Sequence, residues 1–355
     1  MKKLICGILV LALCLTCVSA LAENSSSLDL LDSAEDSAPA ISAGVEDDGS
    51  EGKAETDMSQ DMADLPQPVA EPADEQNEGE GGAVRWTYPV SLGALQSPYL
   101  MLVNADNLLE KDYVPDPLVK VRSVKRATSA DVFLEQTAAH ALEDMFEAAK
   151  LVTEYTYISV NSKGNEIEKT AEYGENGMTL FLKSGYRSYG TQQTTYSNYL
   201  ARNNNVDDGY VAKPGSSEHQ TGICADILNA DYAGRDRMTQ DFKWTAEAQW
   251  MKENCANFGF ILRFMEDKEE KTGIKFEPWH FRYVGKEAAG YIMSMGLSLE
   301  EFKAEADFAV AEFVGKGGDI DAQVAFEISR LNAPPESVVL DEYGEDGDAE
   351  VSLIF

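Results

Sequence analysis

Three histidines occur in the 355 residues, and two of them stand where a metal ion would want them. One lies in Ser216-Ser217-Glu218-His219-Gln220-Thr221-Gly222-Ile223-Cys224-Ala225-Asp226, and the other ends Glu277-Pro278-Trp279-His280. Together they offer two imidazoles, Asp226 as a third ligand and one spare carboxylate. Three N/O ligands with an open fourth position compose a catalytic zinc site, whereas structural zinc is closed by four protein ligands. Zinc held this way keeps net positive charge, lowers the pKa of its bound water toward ~7 and polarises a peptide carbonyl. A general base must still carry the proton to the leaving amine, and the spare carboxylate, Glu277, suits that task. Each residue alone has a plainer reading: a hydrogen-bonded histidine, an aspartate paired with a base, a solvated glutamate before proline.

The spacing dictates how the chain must run. His219 and Asp226 are seven apart, an odd separation that puts them on opposite faces of one unbroken strand. A break is therefore required, and Thr221-Gly222 supplies the place for it. In the second motif His280, Arg282 and Val284 share one strand face, and Trp279, Phe281 and Tyr283 share the other. Pro278 fixes the turn that brings Glu277 beside His280. The third histidine, His140, lies off the apolar stripe of its helix beside Asp144 and Glu147 and reads as exposed.

The surrounding pattern predicts the elements that carry these residues. Leu134, Ala138, Ala141, Leu142, Met145 and Ala149 form one stripe of a helix over 131–152, with Ser129 as its cap. Alternation predicts a strand over 178–183, then a turn and a helix over 191–203 with Tyr196, Tyr199 and Leu200 facing inward. Further strands fall at 223–228, 260–264 and 279–284, and a helix runs from Thr245 to its stop at Gly259. Helices close the pattern at 286–295, 299–314 and 322–331. Helices early and strands later, with short connections, indicate α+β.

Bulk composition excludes some partners. With 62 acids against 29 bases the formal charge is -33, which repels nucleic acid and anionic membranes. Residues 1–22 read as a secretory signal peptide, from a basic start, an apolar run and Ala20-Leu21-Ala22; an uncleaved anchor is the alternative. Eighteen acids and one base fill 23–83, which predicts a disordered acidic linker. After Pro334-Pro335 the sequence reads as an acidic tail, 334–355. Of five cysteines, only Cys224 and Cys255 follow the signal segment, and their apolar settings suggest buried free thiols. Cys224 also sits between two candidate ligands, so a fourth metal ligand is its sharper reading.

The motifs now quoted resemble the VanY-like D-alanyl-D-alanine carboxypeptidases, zinc peptidases that trim peptidoglycan stem peptides. The likeness rests on Ser-Glu-His-Gln-Thr-Gly-x-x-x-Asp followed by Glu-Pro-Trp-His-Phe-Arg-Tyr-Val-Gly. Ser184-Gly-Tyr-Arg187-Ser188, Pro214-Gly215, Phe258 to Ile261 and Thr272-Gly273 extend it, as does Leu102-Val103-Asn104 through Pro115. It covers about 102–299. The resemblance implies a small antiparallel sheet carrying the metal, flanked by helices, as in hedgehog-type domains. It implies zinc on His219, Asp226 and His280, with Glu277 as the base. It also implies that Arg187 holds a substrate carboxylate or the developing oxyanion; without it, Arg187 reads as an ordinary ion-pairing side chain. Gln193 and Ser217 fall at its substrate-contacting positions. A zinc peptidase domain over 84–299 and a helical extension over 300–333 follow. The expected protein is exported and monomeric, with no membrane span once the signal is cleaved. It would remove the terminal D-alanine by attack of zinc-bound water. Alternatives are an L,D-carboxypeptidase on tetrapeptide stems and a non-catalytic peptidoglycan-binding domain.

Overall fold

The computed structural model describes residues 84–332. The expected signal segment with its three cysteines, the acidic linker and the acidic tail lie outside the described residues.

The chain opens with α1 (Leu92–Leu95), β1 (Leu118–Lys120), β2 (Lys125–Arg126), β3 (Phe133–Glu135) and α2 (Gln136–Ala149). There follow β4 (Glu154–Val160), β5 (Glu166–Glu172), β6 (Phe181–Ser184), α3 (Tyr189–Arg202), β7 (Cys224–Leu228) and α4 (Ala230–Ala233). The second half holds α5 (Ala246–Asn254), β8 (Phe260–Leu262), α6 (Glu269–Thr272) and β9 (His280–Tyr283). Three helices finish it: α7 (Lys286–Met295), α8 (Leu299–Gly315) and α9 (Ile320–Leu331). None is long and apolar enough to cross a membrane, among the described residues.

The architecture is the expected α+β. A five-stranded sheet runs in the order β2-β6-β7-β9-β8. Its pairs are antiparallel except β2 with β6, which is parallel. Period-2 alternation divides its two faces by chemistry. On one face Ala225, Ile227, Phe260, Leu262 and Phe281 enter the main core with Leu142, Met145 and Phe146 of α2 and Trp250 and Met251 of α5. On the other face Asp226, His280 and Arg282 are buried too, and they must find polar partners there. Beyond them Ile261 and Val284 join a second cluster with Ala289 and Ile292 of α7 and Leu299, Phe302 and Ala306 of α8. Part of the expected extension therefore contributes core side chains to the sheet domain.

Two expectations about elements need correction. Ser129 caps nothing: α2 starts at Gln136, and the Glu135 carboxylate accepts from the backbone N–H of Thr137 and Ala138. The preceding residues pair with β1, Leu134 opposite Val119, so the stripe read as helix begins inside a strand. The β4–β5 hairpin has no counterpart among the elements expected from the sequence. On α3, Tyr196, Tyr199 and Leu200 are only half-buried, and Gln192 is its buried side chain. The Tyr196 and Tyr199 hydroxyls reach Asp207 and Asp208 instead.

Candidate metal centre and catalytic site

The break demanded by the spacing is a 3-10 turn over Glu218–Thr221 that ends at Gly222 with φ +70°. Glycine is needed there twice over, for the positive φ and because a Cβ would lie 2.7 Å from Pro115 Cγ. The turn lifts His219 over the sheet while Asp226 stays in β7, where the register places it opposite His280 of β9.

Three donors converge as a result. One Asp226 oxygen lies 3.0 Å from His280 Nδ1, and the other lies 3.3 Å from His219 Nε2. The two imidazole centroids are 5.0 Å apart and nearly perpendicular. His219 Nδ1 donates to the Gly185 carbonyl at 2.7 Å, so the neutral imidazole has its lone pair on Nε2, toward Asp226. Gly185 permits that approach, since a Cβ there would meet Val132 and the Phe133 carbonyl. The Glu277 carboxylate stands 3.6 Å from His280 Nδ1, carried by the turn in which His280 N–H donates to the Glu277 carbonyl. Donor atoms of Asp226, Glu277 and His280 all lie within 4.8 Å of one another, as do those of His219, Cys224 and His280. Asp226 meets both imidazoles, one oxygen to each, and two imidazoles with a carboxylate are a donor set that suits a divalent zinc ion.

Burial and neighbouring charges set the protonation of these groups. Burial works against charge on His219, but the neighbouring Cys224 thiol and Asp226 carboxylate outweigh it and raise the imidazole to about 9. His280 is likewise raised against its burial, by Cys224 and Asp226. Asp226 is held well below the usual carboxylate range, because His219 and His280 overcome its desolvation. Burial pushes Glu277 up to about 7, His280 pulls it back and Asp226 pushes it further.

A sign follows for metal uptake. Zinc takes neutral imidazoles, so below the raised values it must displace protons. Apparent zinc affinity is expected to rise between pH 6 and 8 by up to about tenfold per pH unit for each proton released. Chelator competition across that range checks it. Conversely, in the metal-free protein His219 contributes stability that is complete below the ordinary imidazole value and lost as pH climbs through about 9.

A cavity of about 500 Å³ opens over these residues and is also lined by Arg187, Ser217, Tyr210, Phe264 and Trp279. Arg187 takes no part in an ion pair among the described residues. Its backbone N–H is anchored on the His219 carbonyl, and its Nε is buried without a partner. Ser217 is buried in the cavity wall. Gln193 does not reach it: helix geometry turns Gln193 to solvent and the adjacent Gln192 inward, onto the Ala212 carbonyl. Cys224 and Cys255 are buried free thiols. The Cys224 thiol lies within 4.8 Å of a ring nitrogen of each histidine, and Cys255 is pushed up to about 12 by burial. A larger cleft of about 800 Å³ beside Trp244 and Phe276 contains no histidine. One partner went unanticipated. Glu218 is buried and engages Arg263 and Arg282, residues too distant in sequence for local pattern to connect.

Comparison with known proteins agrees with the motifs. The VanY family, described as D-alanyl-D-alanine carboxypeptidase, matches residues 159–286. YodJ of Bacillus subtilis (strain 168), which carries a provisional carboxypeptidase name, is 33% identical over 217 residues, 59% of this chain and 70% of its own length. VanXYC of Enterococcus gallinarum, a bifunctional D-Ala-D-Ala dipeptidase and carboxypeptidase, is 31% identical over 205 residues, 57% of this chain and 92% of its own. Among solved structures, the LdcB LD-carboxypeptidase is 33% identical over 57% of this chain and 85% of its own, with a TM-score of 0.47.

Proposed function

The chain belongs to the VanY family of D-alanyl-D-alanine carboxypeptidases, and on that premise we propose that it is an exported, zinc-dependent enzyme that removes the terminal D-alanine of peptidoglycan stem peptides. The observation that carries the reading is Asp226 bridging toward His219 Nε2 and His280 Nδ1, with Glu277 alongside in one cavity.

His219, Asp226 and His280 would hold the ion. Bound there, zinc supplies Lewis acidity toward the scissile carbonyl and toward water. The remaining work belongs to the side chains. Glu277 takes the proton of the attacking water and returns it to the leaving amine, a task suited to a carboxyl poised near neutrality. Arg187 lines the same cavity, and its buried Nε has no hydrogen-bond partner. A planar guanidinium matches the paired oxygens of a free C-terminal carboxylate, so cleavage falls one residue from the chain end. Ser217 lends polarity to the wall.

The test is mass spectrometry of pentapeptide and tetrapeptide muropeptides after incubation with the zinc-loaded protein. Pentapeptides losing a single alanine are the expected result. Shortening of tetrapeptides alone would reassign the enzyme to L,D-cleavage. Unaltered products despite stoichiometric zinc would leave only a binding domain.

A further inference from the structure

We propose that Glu218 is a positioning residue that fixes which nitrogen of His280 faces the metal, and that α8 and the segment before β1 hold Glu218 in place. The proposal rests on reading His280 as a zinc ligand.

The Glu218 carboxylate is almost wholly buried, and its two oxygens have different surroundings. Oε1 accepts from Arg263 Nε at 2.8 Å and from Arg282 Nη1 at 2.7 Å. Oε2 has no hydrogen-bond partner, and neither has His280 Nε2. These two orphans face each other at 3.6 Å. A shift of about half an ångström would bring them into the ordinary N–H···O range. A carboxylate between two guanidiniums can only accept, so the proton of that contact must belong to Nε2. A neutral imidazole with its proton on Nε2 leaves Nδ1 bare, and Nδ1 is the atom turned toward Asp226 and Glu277. Glu218 thus orients His280 as a carboxylate behind a metal-bound imidazole does.

Arg263 and Arg282, which hold Glu218, lie within residues 159–286, the stretch that carries the family match, but the groups that brace these arginines lie outside it. Arg263 is gripped from the far side by Glu300, with Nη1 at 2.8 Å and Nη2 at 2.6 Å from its two oxygens. Glu300 is the second residue of α8, whose start is fixed by a reciprocal capping box between Ser298 and Glu301. Arg282 Nη2 donates to the Tyr99 and Met101 carbonyls. Two acids and two bases therefore close a neutral quartet in which Glu218, Arg263 and Arg282 are buried and Glu300 is half-buried. Burying three charges is tolerable only with such pairing, and it leaves Glu218 a single free oxygen, which faces His280. The helix beyond residue 299 is a support for the metal ligand.

Glu218→Gln and Glu218→Ala separate this role from a merely structural one. In the glutamine variant the arginines claim the amide oxygen and turn the NH2 toward His280 Nε2. That nitrogen must then accept, which drives the proton to Nδ1 against the metal. In the alanine variant the imidazole is free to choose. Stability of the metal-free proteins is expected to fall in the order wild type, Gln, Ala. Zinc affinity by chelator competition is expected to fall in the order wild type, Ala, Gln, with the glutamine variant ~10–100-fold weakened. Identical orders in both measurements, or a folded glutamine variant that binds zinc like wild type, would overturn the proposal. Should the alanine variant not fold, histidine labelled with ¹⁵N decides, since only His140, His219 and His280 contribute. The zinc-loaded wild type should show a protected Nε2–H on His280 that the glutamine variant loses; retention of that proton in the variant refutes the role. Glu300→Gln should weaken zinc binding by less than either Glu218 change, and an unaltered affinity would remove α8 from the relay. Wild-type protein that takes up no zinc defeats the parent reading itself, a separate outcome.

Discussion

Replacing Glu277 by glutamine is expected to lower kcat by ~10²–10⁴-fold while the protein still takes up one zinc ion. Glutamine keeps the size of the side chain and its place in the turn before His280, but it cannot carry a proton. The glutamate is suited to the task because burial raises it to about 7, with His280 opposing and Asp226 assisting. A base acts in its ionised form, so kcat/KM of the wild type should climb with pH through this region, and the variant should lose that limb. A bound cation favours the carboxylate and moves the limb to lower pH. The alternative role for Glu277 is that of a ligand, since its oxygen lies within reach of the same point as Asp226 and His280. Zinc affinity separates the two. A glutamine variant with wild-type affinity and collapsed turnover identifies the base; lost affinity identifies a ligand; retained turnover dismisses both roles.

How much of this arrangement the sequence disclosed depends on the range of the interaction. The break after His219 was legible because parity forbids His219 and Asp226 from sharing a face of one strand, and Gly222 stands where the break must be. The face shared by His280 and Arg282 was legible from alternation in β9. By contrast, β4 and β5 alternate between exposed and half-buried residues with hardly a core face, and Glu and Lys crowd β5. Their signal lay in the turn at Asn161 to Asn165, where the Asn161 carboxamide binds two backbone N–H groups and Gly164 has φ +78°. The start of α2 is ambiguous in the sequence, because Leu134 fits both a helical stripe and a strand. The resemblance points to Gln193, but one residue of helix, about 100° of rotation, puts Gln192 inside and leaves Gln193 exposed. Glu218 carried no local mark of its role. Its partners lie 45 and 64 residues onward, and only the assembled sheet brings Arg263 and Arg282 to it.

Removal of zinc should destabilise the whole domain, and His219→Ala should abolish that response. The centre packs His219, Asp226, Glu277 and His280 where none has a side chain more than 15% exposed. Without the ion, Asp226 is balanced only by imidazoles that must hold protons to do so. With the ion, the same carboxylate meets a divalent charge and the imidazoles go neutral. Free zinc at a thousandfold excess over Kd adds ~4.1 kcal/mol to folding stability. In a domain of this size each kcal/mol moves Tm by ~2–4 °C, so chelation should lower Tm by ~8–16 °C. The His219→Ala protein begins with one ligand gone and should show the same Tm with or without chelator. Zinc titration must also saturate at one ion per chain, because the many acids of residues 23–83 could bind divalent ions only weakly and without a common endpoint. A Tm of the wild type indifferent to chelator, or a His219→Ala protein as responsive as the wild type, would mean that the ion is held elsewhere and that the convergence of His219, Asp226 and His280 serves packing alone.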